Sequence, residues 1–380
     1  MNRTLSISKH VLSSKPSMFF NDKINHFTLT ARKCCQNCNF ATYLRKRSKM
    51  SIRISLAPFQ GITSRDYRNA YARHFPGLDC AYTPFVSGVH PEKLNPVKFR
   101  DMIPKKNNVI ETVPQLLSNE PAQIIAAAKF LKQEGYSHIN WNMGCPFSRL
   151  ANKKRGCGIL PYKDEIREML DLIMPEIPVK LSIKTRLGYK SHEELPELIH
   201  IFNEYPIHEL IIHPRIGTQL YRGDVNLDGF EGVLAESKIP VSYNGDIYHA
   251  RRYRQLQQRF PGINSWMIGR GALINPFLAA QMKGIVLSEK EKRTQIMAFY
   301  EELLQITQQR IHKPAGQLGF MKAVWYYMSG VFTHGMQYFD KIKVCRNMEE
   351  FSKAAEILLS QPFAGEQEIE EHFRYKLKHK

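Results

Sequence analysis

The sequence predicts an α/β fold, a (β/α)8 TIM barrel followed by a small C-terminal helical domain. Three observations support this prediction: eight short apolar segments alternate with segments of helical periodicity, polar residues follow most of those apolar segments, and strand signals stop after residue 288. Eight strands alternating with helices fit a closed barrel better than an open sheet. A doubly wound sheet is the alternative, but it usually has a G-x-G-x-x-G turn after its first strand, which residues 57–61 lack.

The predicted strands are short apolar runs bounded by turn-forming residues. In chain order they cover residues 52–57, 80–83, 110–115, 138–142, 179–184, 209–213, 240–244 and 266–269. Between them, residues 121–133 and 166–173 place apolar side chains at the spacing of an amphipathic helix. The barrel is therefore expected within residues 50–287.

Residues 288–380 are expected to form the helical domain. Ser288 and Glu291 have the spacing of a capping box, in which each side chain bonds the backbone of the other residue at a helix start. Asn347 and Glu350 repeat that spacing, and apolar residues follow both pairs with helical periodicity.

Residues 1–49 differ in composition from the rest of the chain. They contain ten Lys and Arg residues and one acid, Asp22. We expect this extension to be disordered, and to be either a targeting peptide or a segment upstream of a true start at Met50. Cys35 and Cys38 form a lone C-x-x-C without a second pair, so no zinc site is predicted there.

The formal net charge is +19 over 380 residues. Such an excess indicates a polyanionic partner, nucleic acid or an anionic membrane surface, although a basic surface can also simply be solvated. No apolar run approaches the roughly 18–20 residues that span a bilayer, and the seven cysteines form no disulfide framework. We expect a protein without membrane or metal partners in the reducing cytoplasm, or in an organelle if residues 1–49 are a transit peptide.

Polar side chains mark the carboxyl ends of the predicted strands, where barrel enzymes build their active sites. They are Gln60, Gln115, Asn140, Asn142, Lys184, Arg186, His213, Arg215, Asn244, Asp246 and Arg270. Residues spaced by two share one side of a strand, so most are expected at the barrel mouth. Any one could be an ordinary surface group, but several cations at one mouth would repel one another without an anion between them. The pattern therefore predicts an anionic ligand.

Two glycine-containing turns refine this prediction. Residues 244–246 read Asn-Gly-Asp and residues 269–271 read Gly-Arg-Gly, after the seventh and eighth predicted strands. Barrel enzymes often bind phosphate at these two positions, through backbone N–H groups and an arginine. Glycine also simply makes turns, but the two turns together favour a phosphate site.

Cys145 follows the fourth predicted strand, between Gly144 and Pro146. Zinc binding is disfavoured because Cys157, the next cysteine, has no companion C-x-x-C. A thiol with an ordinary pKa of about 8.5, placed at the mouth beside cations, could act as a general acid. A small packing residue is the other interpretation, and the residues alone leave both open.

Seven stretches resemble the tRNA-dihydrouridine synthases, a family of flavin enzymes. They are LAPFQGITSRDYR (56–68), ETVPQLLSNEP (111–121), INWNMGCPFSRLANKKRGCGIL (139–160), VKLSIKTRLG (179–188), IIHPRIGTQLYRG (211–223), VSYNGDI (241–247) and MIGRGALINPFL (267–278). They follow the family's order and cover nearly all of residues 50–278. The helical tail resembles the family's C-terminal tRNA-binding domain in character only. Phe59-Gln60 stands where the family commonly has Met-Glu, which could alter contacts to the flavin.

The resemblance implies FMN at the barrel mouth, reduced by NADPH or NADH. The implied flavin contacts are Pro58, Phe59, Gln60, Gln115, Lys184 and His213, and the implied phosphate contacts are Asn244, Gly245, Asp246, Gly269 and Arg270. Cys145 falls on the family's catalytic cysteine. Hydride would pass from the reduced flavin to C6 of a uracil in tRNA while Cys145 protonates C5.

The implied macromolecular partner is tRNA, bound by a monomeric enzyme. The expected substrate contacts are Asn142, Arg186, Arg215, Lys153, Lys154 and Arg155. Two alternatives remain, an FMN-barrel reductase of a small molecule and a non-catalytic tRNA-binding chaperone. The net charge and the helical tail argue against the first, and the presence of Cys145 and Lys184 argues against the second.

Overall fold

Parallel strand segments pair into one curled sheet. The computed structural model describes residues 52–378, so the predictions for residues 1–49 lie outside the described part of the chain. Within that part the strands are β1 (Arg53–Leu56), β2 (Cys80–Tyr82), β3 (Val86–Ser87), β4 (Glu111–Val113), β5 (Gln115–Leu117), β6 (His138–Met143), β7 (Lys180–Gly188), β8 (Glu209–Ile216), β9 (Val241–Tyr243) and β10 (Ser265–Ile268).

The ten segments occupy eight positions around a closed barrel. β1 pairs in parallel with both β10 and β2, which joins the first and last strands. β4 and β5 share one position and are interrupted at Pro114, which has no N–H to donate. β2 and β3 share the neighbouring position, because β2 pairs with β4 and β3 pairs with β5; β5 also pairs with β6. The chain therefore forms a (β/α)8 TIM barrel, as the sequence predicts.

Helices connect the strands and form the tail. They are α1 (Arg65–His74), α2 (Pro121–Gln133), α3 (Ser148–Ala151), α4 (Lys163–Ile173), α5 (Glu194–Phe202), α6 (Leu227–Glu236), α7 (Ala250–Arg259), α8 (Arg270–Ile274), α9 (Leu278–Met282), α10 (Glu289–Arg310), α11 (Pro314–Met328), α12 (Gly335–Val344), α13 (Met348–Leu359) and α14 (Glu366–Lys378). The predicted helix at 121–133 is confirmed, and that at 166–173 begins three residues earlier. Between β3 and β4 the connection contains two short 3₁₀ helices instead, Pro96–Phe99 and Lys105–Asn107.

Strands β7 and β8 run beyond their predicted ends. β7 continues to Gly188 and β8 to Ile216, so Arg186 and Arg215 also lie on strands, as His213 does. In β6, Ile139, Trp141 and Met143 are buried among apolar residues, whereas Asn140 and Asn142 bond other polar side chains. This period-two alternation directs the polar residues into the barrel.

The helices after residue 288 contain the predicted caps. Ser288 and Glu291 form a complete capping box at the start of α10, and the Asn347 side chain accepts a hydrogen bond from the backbone of Glu350. Phe299 of α10 packs against Tyr67 of α1, with ring centroids 5.6 Å apart. The barrel and these helices belong to one compact unit. None of the helices described for residues 52–378 is both long and apolar enough to cross a bilayer.

Candidate active site at the carboxyl ends of the strands

A cavity of about 600 Å³ opens at the carboxyl ends of the strands. Fourteen of the residues singled out from the sequence line it: Pro58, Phe59, Gln60, Gln115, Asn142, Cys145, Lys184, Arg186, His213, Asn244, Gly245, Asp246, Gly269 and Arg270. Arg215 lies beneath this lining, and the three cations at 153–155 lie outside it. The strand ends thus bring together residues that are far apart in sequence.

Amide side chains form the polar floor of the cavity. Gln115 Oε1 accepts a hydrogen bond from Asn142 Nδ2 at 2.8 Å, and Gln115 Nε2 donates to Asn140 Oδ1 at 2.8 Å. Asn140 in turn donates to Ser182 Oγ at 2.8 Å. Because each amide both donates and accepts, the chain of bonds fixes the orientation of Gln115 and Asn142 beneath the cavity.

Lys184 extends from β7 to the cavity. No hydrogen bond or ion pair engages its ammonium group among the residues that the structure describes. Burial, together with the nearby Arg186 guanidinium, lowers the pKa of Lys184 from its ordinary 10.5 to about 7. An anionic group placed against this amine would favour its charged form.

The loop after β6 places the Cys145 thiol at the cavity wall. Asn142 Oδ1 accepts hydrogen bonds from the backbone N–H groups of Gly144 and Cys145, at 3.0 and 2.9 Å. Gly156 packs directly on this loop with φ +60°, and a Cβ there would come 2.5 Å from the Cys145 carbonyl oxygen. The thiol is 8% exposed. Its position is therefore set by backbone contacts on both sides.

The protonation state of Cys145 follows from its surroundings. Burial raises the pKa of the thiol above its ordinary value. The backbone N–H of Phe147 and the nearby Arg186 and Lys184 act in the opposite direction, because they stabilise a thiolate. Burial dominates, so the sulfur carries its proton at neutral pH.

Arg186 fastens the Cys145 loop to the loop after β8. Its Nε donates to the carbonyl oxygen of Gly144 at 3.0 Å, and its Nη1 donates to those of Leu220 at 2.7 Å and Ile216 at 3.0 Å. The guanidinium therefore bonds carbonyl groups of two separate loops, and its charge remains uncompensated by any carboxylate among the described residues.

His213 is held in its neutral form. Arginine can only donate, so the 3.1 Å contact between Arg215 Nη1 and His213 Nε2 makes that nitrogen an acceptor and places the ring proton on Nδ1. Burial lowers the pKa of His213 well below its ordinary value, and the surrounding cations, Arg186 first among them, lower it further.

Asp246 joins two buried arginines. Its carboxylate accepts two hydrogen bonds from Arg215, at 2.5 and 2.9 Å, and one from Arg270 Nη2 at 3.0 Å. Arg270 also lies between the rings of Tyr221 and Phe373, each 4.6 Å from the guanidinium carbon. Its Nη1 is buried without a hydrogen-bond partner. A buried guanidinium with a donor left over is suited to bind an anion.

The charges around the cavity do not balance. Its described lining includes the cations Lys184, Arg186, Arg222 and Arg270 and one acid, Asp246. Asp246 is also shared with Arg215 below. Such an excess in a partly buried space fits a ligand with a phosphate group, as the turns at 244–246 and 269–271 predict.

The cations at 153–155 differ from one another. The Lys154 ammonium pairs with Glu165 and lies 4.0 Å from the Tyr162 ring centroid. Arg155 pairs with Glu120 at 2.9 Å. Lys153 is exposed and has no ion pair within the described part of the chain, which leaves its charge available to an external anion.

Sequence reasoning missed several lining residues. They are Ala57, Phe85, Phe147, Tyr221, Arg222, Met267 and Phe373, among others. Tyr221 and Arg222 lie within the family-like stretch 211–223 and could have been selected from it. Phe373 carries no such signal, because it reaches the cavity from α14, more than 100 residues after β10.

Within the described residues, no group of three or more His, Cys, Asp or Glu side chains is arranged to hold a metal ion. Four described cysteines, Cys80, Cys145, Cys157 and Cys345, are free thiols.

Comparison with known proteins identifies relatives of the chain. The tRNA-dihydrouridine synthase B of Pasteurella multocida is 27% identical over 235 residues, which cover 62% of this chain and 70% of that protein. The Klebsiella pneumoniae protein of the same name is 29% identical over 233 residues, covering 61% and 71%. The probable tRNA-dihydrouridine synthase of Rickettsia conorii is 24% identical over 338 residues, covering 86% and 94%.

Solved structures that align with the chain include a morphinone reductase in complex with tetrahydroNAD. The alignment has a TM-score of 0.42 and 11% identity, and covers 62% of this chain and 88% of that one. Histamine dehydrogenase from Rhizobium sp. 4-9 aligns with a TM-score of 0.47 and 11% identity, covering 66% and 49%.

A family model for dihydrouridine synthase (Dus) matches residues 55–366, well over half of the chain. The match includes the barrel, the Cys145 loop and most of the C-terminal helices. The chain therefore belongs to the dihydrouridine synthase family, the FMN-dependent oxidoreductases that form dihydrouridine in tRNA.

Proposed function

We propose that this chain reduces a uridine of tRNA to 5,6-dihydrouridine in the cavity at the barrel mouth, with Cys145 as the proton donor to C5. The observation that carries this proposal is the convergence on one cavity of a protonated thiol, an unpaired lysine and an excess of buried guanidinium groups. A thiol alone, or cations alone, would fit many other sites.

The residues present fit FMN. Arg270, with a buried N–H lacking a partner, would bind the phosphate together with the turns at 244–246 and 269–271. Lys184 and Gln115 would hydrogen-bond the polar edge of the flavin ring, whose acceptor atoms would favour the charged form of Lys184. Pro58, Phe59 and Gln60 would border the ring, and neutral His213 would face it as a hydrogen-bond donor through Nδ1.

FMN reduced by NADPH supplies a hydride to C6 of the uracil when it is bound. The residues of the chain supply the proton. Cys145 enters the reaction with its proton because burial raises its pKa, and loss of that proton to C5 leaves a thiolate. The Phe147 N–H and the Arg186 and Lys184 cations stabilise that thiolate. The C5–C6 double bond thereby gains one hydride and one proton.

Asn142 and Arg186 have positioning roles. Asn142 holds the backbone of the Cys145 loop and is itself oriented by Gln115. Arg186 bonds the same loop through Gly144. Arg215, which the sequence suggested as a substrate contact, supports His213 and Asp246 from below, so we assign it an indirect role.

The tRNA must deliver its target base out of the stack to reach the cavity. We propose that residues 288–380 bind the tRNA, assisted by the exposed cation Lys153 near the Cys145 loop. Lys154 and Arg155, which are paired with acids, contribute less to phosphate binding. We further propose that the protein acts as a monomer in the cytoplasm, or in an organelle if residues 1–49 are a transit peptide.

The test is a Cys145→Ala variant. This variant should retain FMN and tRNA binding while dihydrouridine formation falls by 10²-fold or more, the order of contribution of a general acid. The measurement is dihydrouridine per tRNA after incubation with NADPH, using tRNA from cells that lack the gene. Full activity in this variant would contradict the role of Cys145, and wild-type protein that binds no FMN would contradict the cofactor assignment.

A further inference from the structure

Phe147 presents a large aromatic ring to solvent beside the cavity. Its side chain is 63% exposed, although it lines the cavity together with Cys145 and Pro146. The part of the chain that the structure describes places no other ring against it. Exposed single hydrophobic residues are common on proteins, so exposure alone would not indicate a role.

The backbone of Phe147 is rigidly held. Its N–H lies close enough to the Cys145 sulfur to favour the thiolate, and its carbonyl oxygen accepts hydrogen bonds from the N–H groups of Leu150 and Ala151, both at 2.9 Å. The ring therefore projects from a fixed point immediately next to the thiol. A ring on a fixed backbone loses little conformational entropy when a ligand stacks on it.

Phe147 does not serve the stability of its own segment. It occupies the N-cap position of α3 without a side-chain capping bond, where Ser, Thr, Asp or Asn would satisfy free backbone N–H groups. It is also outside the hydrophobic core. A residue that neither caps its helix nor packs in the core does not stabilise the fold, and such residues are often found at functional sites.

The surroundings of Phe147 select the kind of ligand. Arg149 and Lys153 are both exposed on the short segment that follows Phe147, Arg149 in α3 and Lys153 in the turn after it, and neither forms an ion pair within the described residues. One ring bordered by Ser148 and cations is too small and too polar for a stable protein interface. An aromatic face beside two free cations suits a nucleic acid strand, since bases stack on the ring while phosphates meet the charges.

We propose that the ring of Phe147 stacks on the nucleobase adjacent to the target uridine in tRNA and holds the strand open while the uridine occupies the cavity. This inference rests on the proposed function and adds a specificity contact to it. Because the ring lies at the rim rather than deep in the cavity, it faces the flanking nucleotide. An aromatic wedge at such a position stabilises an unstacked strand.

The test compares Phe147→Ala, Phe147→Leu and Phe147→Trp with wild-type holoenzyme. Loss of one base–aromatic stack should lower kcat/KM for tRNA about 5- to 150-fold in Phe147→Ala. Phe147→Trp should restore activity to within a few-fold of wild type, whereas Phe147→Leu, which is apolar but has no π face, should not. FMN content, thermal stability and the rate of flavin reduction by NADPH without tRNA should stay at wild-type values.

Two comparisons complete the test. Leu172→Ala removes a similarly exposed apolar side chain, 59% exposed on α4 and outside the cavity, and should leave kcat/KM unchanged. The slope of log affinity for tRNA against log salt concentration should also be unchanged in Phe147→Ala, because no charge is removed. Phe147→Ala with the activity of Leu172→Ala, or Phe147→Leu as active as Phe147→Trp, would overturn the inference. Wild-type protein that binds FMN and tRNA but forms no dihydrouridine would instead overturn the proposed function.

Discussion

Lys184→Met offers a direct test of the electrostatics of the cavity, in FMN-free protein. Methionine has nearly the same length and removes the buried charge without leaving a large space. The pKa of Lys184 falls from 10.5 to about 7. At 1.36 kcal/mol per pKa unit, a charged amine at this position lowers the free energy of unfolding by on the order of 5 kcal/mol. The Met variant should therefore be more stable than wild type at pH 7.

The difference in free energy of unfolding between Lys184→Met and wild type should depend on pH in one direction only. Between about pH 7 and 10.5 the unfolded state binds a proton at Lys184 that the folded state does not, so wild-type stability rises with pH relative to Lys184→Met, by about 1.4 kcal/mol per pH unit. From pH 7.5 to pH 9 the advantage of the variant should shrink by about 2 kcal/mol. Below pH 7, where both states carry the proton, the advantage should be constant.

The assay is urea unfolding of the two proteins at several pH values, compared as a difference so that groups common to both cancel. Lys180→Met is the matched control. Lys180 begins the same strand and is exposed, so its removal should change the free energy of unfolding by less than about 0.5 kcal/mol. A Lys184→Met variant that is less stable than wild type at pH 7, or a stability difference that does not change with pH, would refute the reasoning.

Three further predictions concern the same end of the barrel. Asp246→Asn removes the carboxylate shared by two buried arginines and should lower the free energy of unfolding by about 3–5 kcal/mol, measured in urea; a loss below about 1 kcal/mol would contradict this. Gly156→Ala places a Cβ against the Cys145 carbonyl oxygen. The Cys145 loop should therefore be displaced, so that dihydrouridine formation falls while FMN remains bound; unchanged activity would show that the loop accommodates the methyl group without moving the thiol. Replacing both Arg149 and Lys153 with Ala should reduce the salt slope of tRNA affinity by about 1.5, measured by filter binding between 50 and 200 mM salt; an unchanged slope would place the phosphate contacts elsewhere.

The barrel was predictable because its signals are local. Short apolar runs at eight positions indicate strands whichever partner they pair with. Nine of the ten observed strand segments overlap a predicted range, and the two-residue segment β3 does not. The strand at 110–115 shows the limit of this reasoning: the sequence predicts one strand, whereas Pro114 divides it into two segments with different partners. The connection between β3 and β4 contains two short 3₁₀ helices where a regular barrel has an α-helix. The sequence of this connection did not predict that difference.

The sequence predicted many of the residues that line the cavity, but it did not predict which contacts each of them makes. Period-two spacing brings Asn140, Asn142, Arg186 and Arg215 into the barrel from sequence alone. Only the structure shows that Arg186 bonds backbone carbonyls of two loops and that Arg215 supports Asp246 from below. Two of the three cations at 153–155 are paired with acids, whose positions depend on how α2 and α4 pack.

The sequence by itself determined the alternation of strands and helices, the polar strand ends, the helix caps at Ser288 and Asn347, and the family motifs, because each depends on neighbouring residues within a turn or a strand. The tertiary structure decided which charges remain free, which of the four described thiols lines the cavity, and that Phe373 reaches the cavity from the last helix. Burial and charge compensation depend on residues distant in the chain, and these two quantities set the pKa of Lys184 and leave Arg270 with a donor for an anion.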